Sequence, residues 1–173
     1  MMFGLGPAPR IFTKLLKIPI SMLRKLKIRL IIYMDDMLIM ACSLEEISWA
    51  RDTTLHLLEA LGFVINYKKS ILTPCQSIEF LGMIVDSITM SLIVPPEKVE
   101  NLSNLCAKTM RMSRVTLRKM AKVIGKLKST APAFSWAPLQ TRHLQQVLIE
   151  GTRKKLSYEA SVPLSRKAIL SWS

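Results

Sequence analysis

Two short apolar runs, residues 28–33 and 37–41, bracket Met34-Asp35-Asp36, and this arrangement constrains the fold more than any other part of the chain. Runs of that length suit strands, and aspartate favours turns because its side chain bonds the backbone beyond it. The pattern predicts a β-hairpin with an acidic tip. Two neighbouring carboxylates between apolar strands are costly to bring together unless a cation neutralises them, and their oxygens suit Mg²⁺ or Mn²⁺. In a regular strand Asp35 and Asp36 would point to opposite faces. At a tip they diverge less, and Asp35 is expected to dominate a metal contact. The plain alternative for an Asp-Asp pair is a solvated turn.

The rest of the chain arranges itself around this hairpin. A helix is predicted over residues 9–26, with Arg10, Lys14 and Lys17 at i, i+4, i+7 and a bend or interruption at Pro19. Ser43 followed by Glu46 is a capping box that opens a second helix. Its shared face holds Ile47, Ala50, Leu57, Leu58 and Leu61, and Gly62 ends it. Residues 63–66 and 78–85 read as strands. Asp86-Ser87 then turns the chain into residues 88–94, where Ile88, Met90, Leu92 and Val94 alternate with other residues. Pro95-Pro96 opens the next helix, and everything beyond reads helical, with breaks near Ser113, Pro132, Pro138 and Pro163. The expected class is α+β, with the boundary at the double proline.

Charge is distributed as unevenly as secondary structure. The chain has 173 residues and a net charge of +13, from 25 Lys plus Arg against 12 Asp plus Glu. Half of its residues are hydrophobic, which excludes disorder. Residues 1–34 and 101–149 are basic without a single acid, whereas most of the acids fall in residues 35–100. Two basic blocks flanking an acidic middle suit metal ions held between parts that grip nucleic acid. Over residues 113–128, Leu117, Met120, Ile124 and Leu127 form an apolar face, and Arg114, Arg118, Lys122 and Lys126 form a basic stripe at i, i+4, i+8, i+12. Like charges so spaced destabilise a helix, and a polyanion relieves them. The stripe is therefore a candidate phosphate-tracking surface. Cys42, Cys75 and Cys106 are too scattered for a disulfide framework or a metal half-site and read as buried or idle thiols, and His56 and His143, which lack a partner histidine, read as structural or surface residues. No apolar stretch is long enough to span a membrane, and the first residues lack the features of a signal peptide. An intracellular location, cytoplasm or nucleus, is expected.

Tyr33-Met34-Asp35-Asp36 on an apolar hairpin resembles the YxDD motif of reverse transcriptases, and the flanking sequence agrees on both sides. Upstream, Phe3-Gly4-Leu5, Ala8-Pro9 and Phe12 resemble the family's FGLxxAPxxF segment. Downstream, residues 62–66 followed by Lys69-Ser70 are similar to the segment that carries the family's lysine near the nucleotide phosphates. Glu79-Phe80-Leu81-Gly82 resembles the hairpin that grips the primer end. The helical tail looks most like the thumb and connection of DIRS-like retrotransposon polymerases.

The resemblance implies a partial polymerase palm, an antiparallel sheet with helices, over residues 1–94. An all-helical thumb and connection would follow over 95–160, then a tail over 161–173 leading toward a ribonuclease H domain. It implies nucleotidyl transfer to a primer 3′ end on an RNA or DNA template, with deoxynucleoside triphosphates as substrates and a pair of Mg²⁺ or Mn²⁺ ions as cofactors. Asp35 and Asp36 would bind metal, and Lys69, with Lys68 behind it, would neutralise pyrophosphate. Phe3 and Gly4 would contact nucleotide and template, Tyr33 and Met34 would lie beside the primer terminus, and Phe80, Leu81 and Gly82 would grip the primer. The family also uses an Asp on an earlier strand, whereas this sequence has no acid before Asp35. The expectation is a polymerase truncated at its front and inactive as this chain. The alternatives are a non-catalytic, basic nucleic-acid-binding module and a basic helical protein on acidic membranes.

Overall fold

The computed structural model describes residues 6–134 and 137–163, and for residues 137–140 the backbone alone. The chain divides into two compact units, Met1–Cys75 and Gln76–Ser173. Both mix helices with antiparallel strands, as the α+β expectation requires.

In the first unit, helix α1 (Ala8–Lys25) runs through Pro19 without interruption. Proline removes one backbone hydrogen bond, but Pro19 lies on the buried face with Leu16, Ile20 and Leu23, and that burial outweighs the loss. The helix closes with a Schellman arrangement: the Ile28 N–H donates to the Leu23 carbonyl (3.2 Å) and the Lys27 N–H to the Arg24 carbonyl (3.0 Å). Ile28 and Leu23, the residues this motif brings together, are both in the core. The chain then forms β1 (Arg29–Tyr33) and β2 (Asp36–Met40), paired antiparallel with Tyr33 opposite Asp36. A two-stranded hairpin is marginal alone, and this one is held by Leu30, Ile32, Met37 and Ile39 packing into the cluster built on α1.

Helix α2 (Leu44–Ala60) begins as predicted: the Ser43 hydroxyl accepts from the Glu46 N–H at 3.1 Å. The Glu46 carboxylate reaches back to the Cys42 N–H at 2.8 Å, one residue beyond the usual reciprocal partner. Ser43→Ala is expected to lower the unit's stability by about 1 kcal/mol, read as a shifted urea midpoint with an unchanged slope. Gly62, at φ +82°, ends the helix where a side chain would be strained.

Residues 63–66 do not form a strand, contrary to the sequence reading. Phe63 and Ile65 pack against the core while Val64 is exposed, so the alternation is real. No strand pairs with them among the described residues, and an unpaired segment makes no ladder.

The second unit opens with β3 (Ser77–Phe80), β4 (Met83–Asp86) and β5 (Ser91–Ile93) in one antiparallel sheet. Residues 78–85 are thus two strands. Leu81 and Gly82 both take positive φ, 52° and 70°, forming a two-residue hairpin loop of the kind that matches strand twist. Ile88 and Met90, expected on a strand, lie instead in the loop of residues 87–90. There the Asp86 carboxylate accepts from the Ile88 and Thr89 N–H groups, both at 2.8 Å. Those bonds, chiefly the one from Thr89, hold the Asp86 carboxyl below its ordinary range.

Helix α3 (Pro96–Met110) starts at the double proline, followed by α4 (Leu117–Lys128) and α5 (Ala137–Arg153). Helix dominates here as expected, with one addition: β6 (Arg114–Thr116) pairs with β7 (Ser161–Pro163). Val115, Met120, Val123, Ile124 and Leu144 form this unit's core. Gly151 lets α5 approach α4, because a Cβ there would lie 2.8 Å from both Leu117 methyls.

Candidate nucleic-acid and metal-binding residues

The acidic tip is a two-residue loop, Met34-Asp35, closed by Tyr33 and Asp36. Met34 occupies the first central position with φ +53°, where glycine is the usual residue. Asp35 sits in the turn and Asp36 begins β2, so the two carboxylates do leave the backbone differently. Burial separates the faces of the hairpin. Leu30, Ile32, Met37 and Ile39 turn toward the core, while Ile31, Tyr33 and Asp36 share the open face. Tyr33 is 55% and Met34 45% exposed, and both carboxylates are exposed, so the tip is free to meet a large partner.

The described residues contain no group of three or more His, Cys, Asp or Glu placed to hold a metal ion. Asp35 and Asp36 have the oxygen chemistry that Mg²⁺ or Mn²⁺ prefers, but a bridged pair of ions needs more carboxylate oxygens than these two supply. The donor set here is partial.

Lys69 lies in a turn whose geometry is fixed by Asn66: the Lys69 N–H donates to the Asn66 carbonyl at 3.1 Å and to its side-chain oxygen at 3.3 Å. Lys68 and Lys69 are exposed, and neither is ion-paired with Asp35 or Asp36. Phe3 and Gly4 lie outside the described residues, as do residues 164–173 of the expected tail.

In the second unit, Phe80, Leu81 and Gly82 are brought together at the β3–β4 turn. That turn is anchored by a residue the sequence did not single out. Lys98 Nζ, on the first turns of α3, donates to the Gly82 carbonyl and to the Ser129 carbonyl, each at 3.2 Å. One ammonium thus ties the hairpin to the C-terminal end of α4, where orphan carbonyls favour a cation. No local pattern announces a tether that joins residues so far apart in sequence.

The basic stripe is shorter than expected. Helix α4 is capped at Thr116, whose hydroxyl accepts from the Lys119 N–H at 3.2 Å, so Arg114 belongs to β6 instead. Arg114 donates to the Ser161 carbonyl at 2.7 Å. Arg118, Lys122 and Lys126 remain exposed along α4 at i, i+4, i+8. Arg118 Nε contacts the Glu159 carboxylate at 2.5 Å, so one acid does offset the stripe. The apolar face is as predicted, with Leu117, Met120 and Ile124 buried and Val123 added to them. Cys42 and Cys75 are exposed. Cys106 is half-buried, and burial pushes its thiol pKa up.

No described helix is long and apolar enough to cross a membrane. No curated protein matches the chain. Residues 1–85, which carry both the acidic tip and the Phe80-Leu81-Gly82 turn, match the family model described as Reverse transcriptase (RNA-dependent DNA polymerase).

Proposed function

We propose that the chain is part of the RNA-directed DNA polymerase of a retrotransposon, of the DIRS-like kind, and that it grips primed template without polymerising by itself. The observation that carries this reading is the exposed Tyr33-Met34-Asp35-Asp36 turn on a hairpin, inside the segment that matches the reverse transcriptase model. In this reading residues 1–94 belong to a palm, 95–160 to a thumb and connection, and 161–173 lead toward ribonuclease H.

Asp35 and Asp36 contribute to a divalent-ion site, which in a complete enzyme supplies neutralising charge at the reacting phosphates. Tyr33 and Met34 border the primer terminus, Phe3 and Gly4 the nucleotide and template, and Lys69 the pyrophosphate. Phe80, Leu81 and Gly82 hold the primer, with Lys98 fixing the turn they occupy. Arg118, Lys122 and Lys126, the part of the stripe that α4 carries, follow the phosphate backbone. The partial donor set at the tip favours a second reading, a module retained for binding alone.

Reversing Arg118 and Lys122 to Glu is expected to weaken binding of a primed RNA–DNA template. It should also flatten the slope of log K against log salt by between about one and two. Fluorescence anisotropy across a salt series measures both. An unchanged slope would remove α4 from the interface.

A further inference from the structure

We infer that the first unit pairs with a second copy of this chain through a stripe of apolar side chains along α1, the two α1 helices running parallel about a two-fold axis. The pairing needs no nucleic acid, so it stands or falls separately from the function proposed above.

Ile11, Leu15, Ile18, Met22 and Leu26 recur at intervals of three and four residues, which at about 100° per residue places them on one side of α1 and its C-cap. They are not the residues that meet the core, which are Leu16, Pro19, Ile20 and Leu23. Ile18 is 70% exposed and the other four between 43% and 55%, so the helix carries a second apolar face that no described residue covers. Beside it, Met22 and Leu26 form one wall of a groove of about 560 Å³ whose other wall includes Thr53, His56 and Ala60 of α2. Trp49, one turn before Thr53, is 50% exposed and lengthens that wall. The exposed parts of these six large side chains amount to roughly 600 Å² per copy, or about 1,200 Å² when two copies meet, where specific interfaces begin. Contiguous apolar surface on that scale marks a contact site.

The borders of the stripe decide what covers it. On the side away from α2, Lys14 and Lys25 stand exposed, with Arg10 and Lys17 beyond them, and α1 has no acid. On the α2 side, Glu45, Asp52 and Glu59 recur every seven residues as an exposed acidic row, and Asp52 itself lines the groove with Met22 and Leu26. A surface with one basic and one acidic border can complement itself. When the two-fold axis lies in the interface parallel to α1, each basic border meets the other copy's acidic border, whereas an axis across α1 sets like against like. The parallel pairing follows. It brings Lys25, at the same level of the helix as Met22 and Leu26, opposite Asp52 of the second copy. Asp52 pairs with Arg51 of its own chain at 2.7 Å, but that pair is exposed and a carboxylate has lone pairs for a second cation. An anionic membrane, the other surface that suits a basic amphipathic helix, is repelled by the acidic row. The net charge of +13 opposes association at long range, yet at about 0.15 M salt charges more than about 8 Å apart are largely screened and the borders in contact decide.

Sedimentation velocity on the 173-residue chain, without nucleic acid, is expected to show a species of twice 19.6 kDa, half formed at about 10 µM. Leu15→Glu combined with Ile18→Glu, both at exposed positions, should raise the dissociation constant at least about a hundredfold while the far-ultraviolet circular dichroism stays the same. Lys25→Glu and Asp52→Lys should each weaken the dimer about tenfold, and the two together in one chain should recover most of the loss, a recovery that no folding defect produces. Ile11→Cys, in a chain also carrying Cys42→Ser and Cys75→Ser, is expected to form a disulfide-linked dimer under mild oxidation. Parallel helices bring the two copies of residue 11 together, whereas antiparallel helices centred on the stripe part them by about 22 Å. A wild-type chain that stays at 19.6 kDa up to about 200 µM overturns the dimer. A dimer that survives the Leu15 and Ile18 substitutions overturns the stripe as its seat. Failure of Ile11→Cys to cross-link, or of the charge swap to recover, overturns the parallel arrangement. A monomeric chain captured by phosphatidylserine vesicles, with capture lost in the Leu15 and Ile18 variant, overturns the second copy as occupant in favour of a membrane.

Discussion

Given Mg²⁺, deoxynucleoside triphosphates and a primed template, the 173-residue chain is expected to leave a labelled primer unextended. The tip supplies two carboxylates, one from a turn and one from the first residue of a strand, and no third metal-ligating side chain joins them among the described residues. Holding two divalent ions close together requires several negative oxygens converging from different backbone positions. Of the first unit's four other acids, Glu45 stands exposed in the first turn of α2, and three are engaged in local structure. Glu46 closes the α2 cap, Asp52 pairs with Arg51 at 2.7 Å, and Glu59 accepts a hydrogen bond from the Tyr67 hydroxyl. Each is committed where it stands. Extension should appear only when a segment carrying a further Asp is supplied in the same polypeptide. Robust extension by this chain alone, abolished by Asp35→Asn, would falsify the partial-site account, since some acid would then be completing the site.

Leu23→Ala is expected to remove about 2–5 kcal/mol from the first unit, because it empties volume at a fully buried position. At about 0.05–0.15 kcal/mol per residue, a unit of this size holds roughly 4–11 kcal/mol, so the loss takes a large share of the whole. The acidic tip has no independent means of standing. It depends on a two-stranded hairpin whose inner residues rest on α1, and Leu23 also anchors the Schellman closure that aims the chain into β1. Hydrogen exchange at the amides of β1 and β2 should therefore accelerate in the variant along with the amides of α1. Exchange confined to α1, with the hairpin still protected, would show that the tip does not lean on this core.

Features closed by neighbours in sequence were legible from residue types alone. The α2 cap rests on Ser43 and Glu46 three residues apart, the Gly62 stop on one backbone angle, and the acidic hairpin on residues that pair across a two-residue loop. Elements that need a distant partner were not. Residues 63–66 alternate like a strand, yet alternation reports a half-buried extended chain and cannot say whether another backbone lies alongside. The β6–β7 ribbon joins Val115 to Val162 through strands of three residues, too short to carry a period of their own. Missing it also misplaced Arg114, which the helical spacing of its neighbours had drawn onto α4. Of the candidate site, the acidic tip could be read from the chain order, whereas the Leu81-Gly82 turn, hidden inside an apolar run that reads as strand, and the Lys98 tether required knowing which elements meet.

The contact between Arg118 and Glu159 makes Glu159 an internal decoy for phosphate. Both partners are exposed, so the pair adds little to stability, but a carboxylate and a phosphate oxygen make the same demand on a guanidinium. When nucleic acid arrives, Arg118 exchanges one anion for another, and the released Glu159 gathers a cation from solution as the strand sheds one. The two displacements oppose each other in the salt dependence. A count of released ions therefore undercounts the arginines at the interface, and Lys122, which has no such rival among the described residues, should account for the larger part of the slope lost in the double reversal.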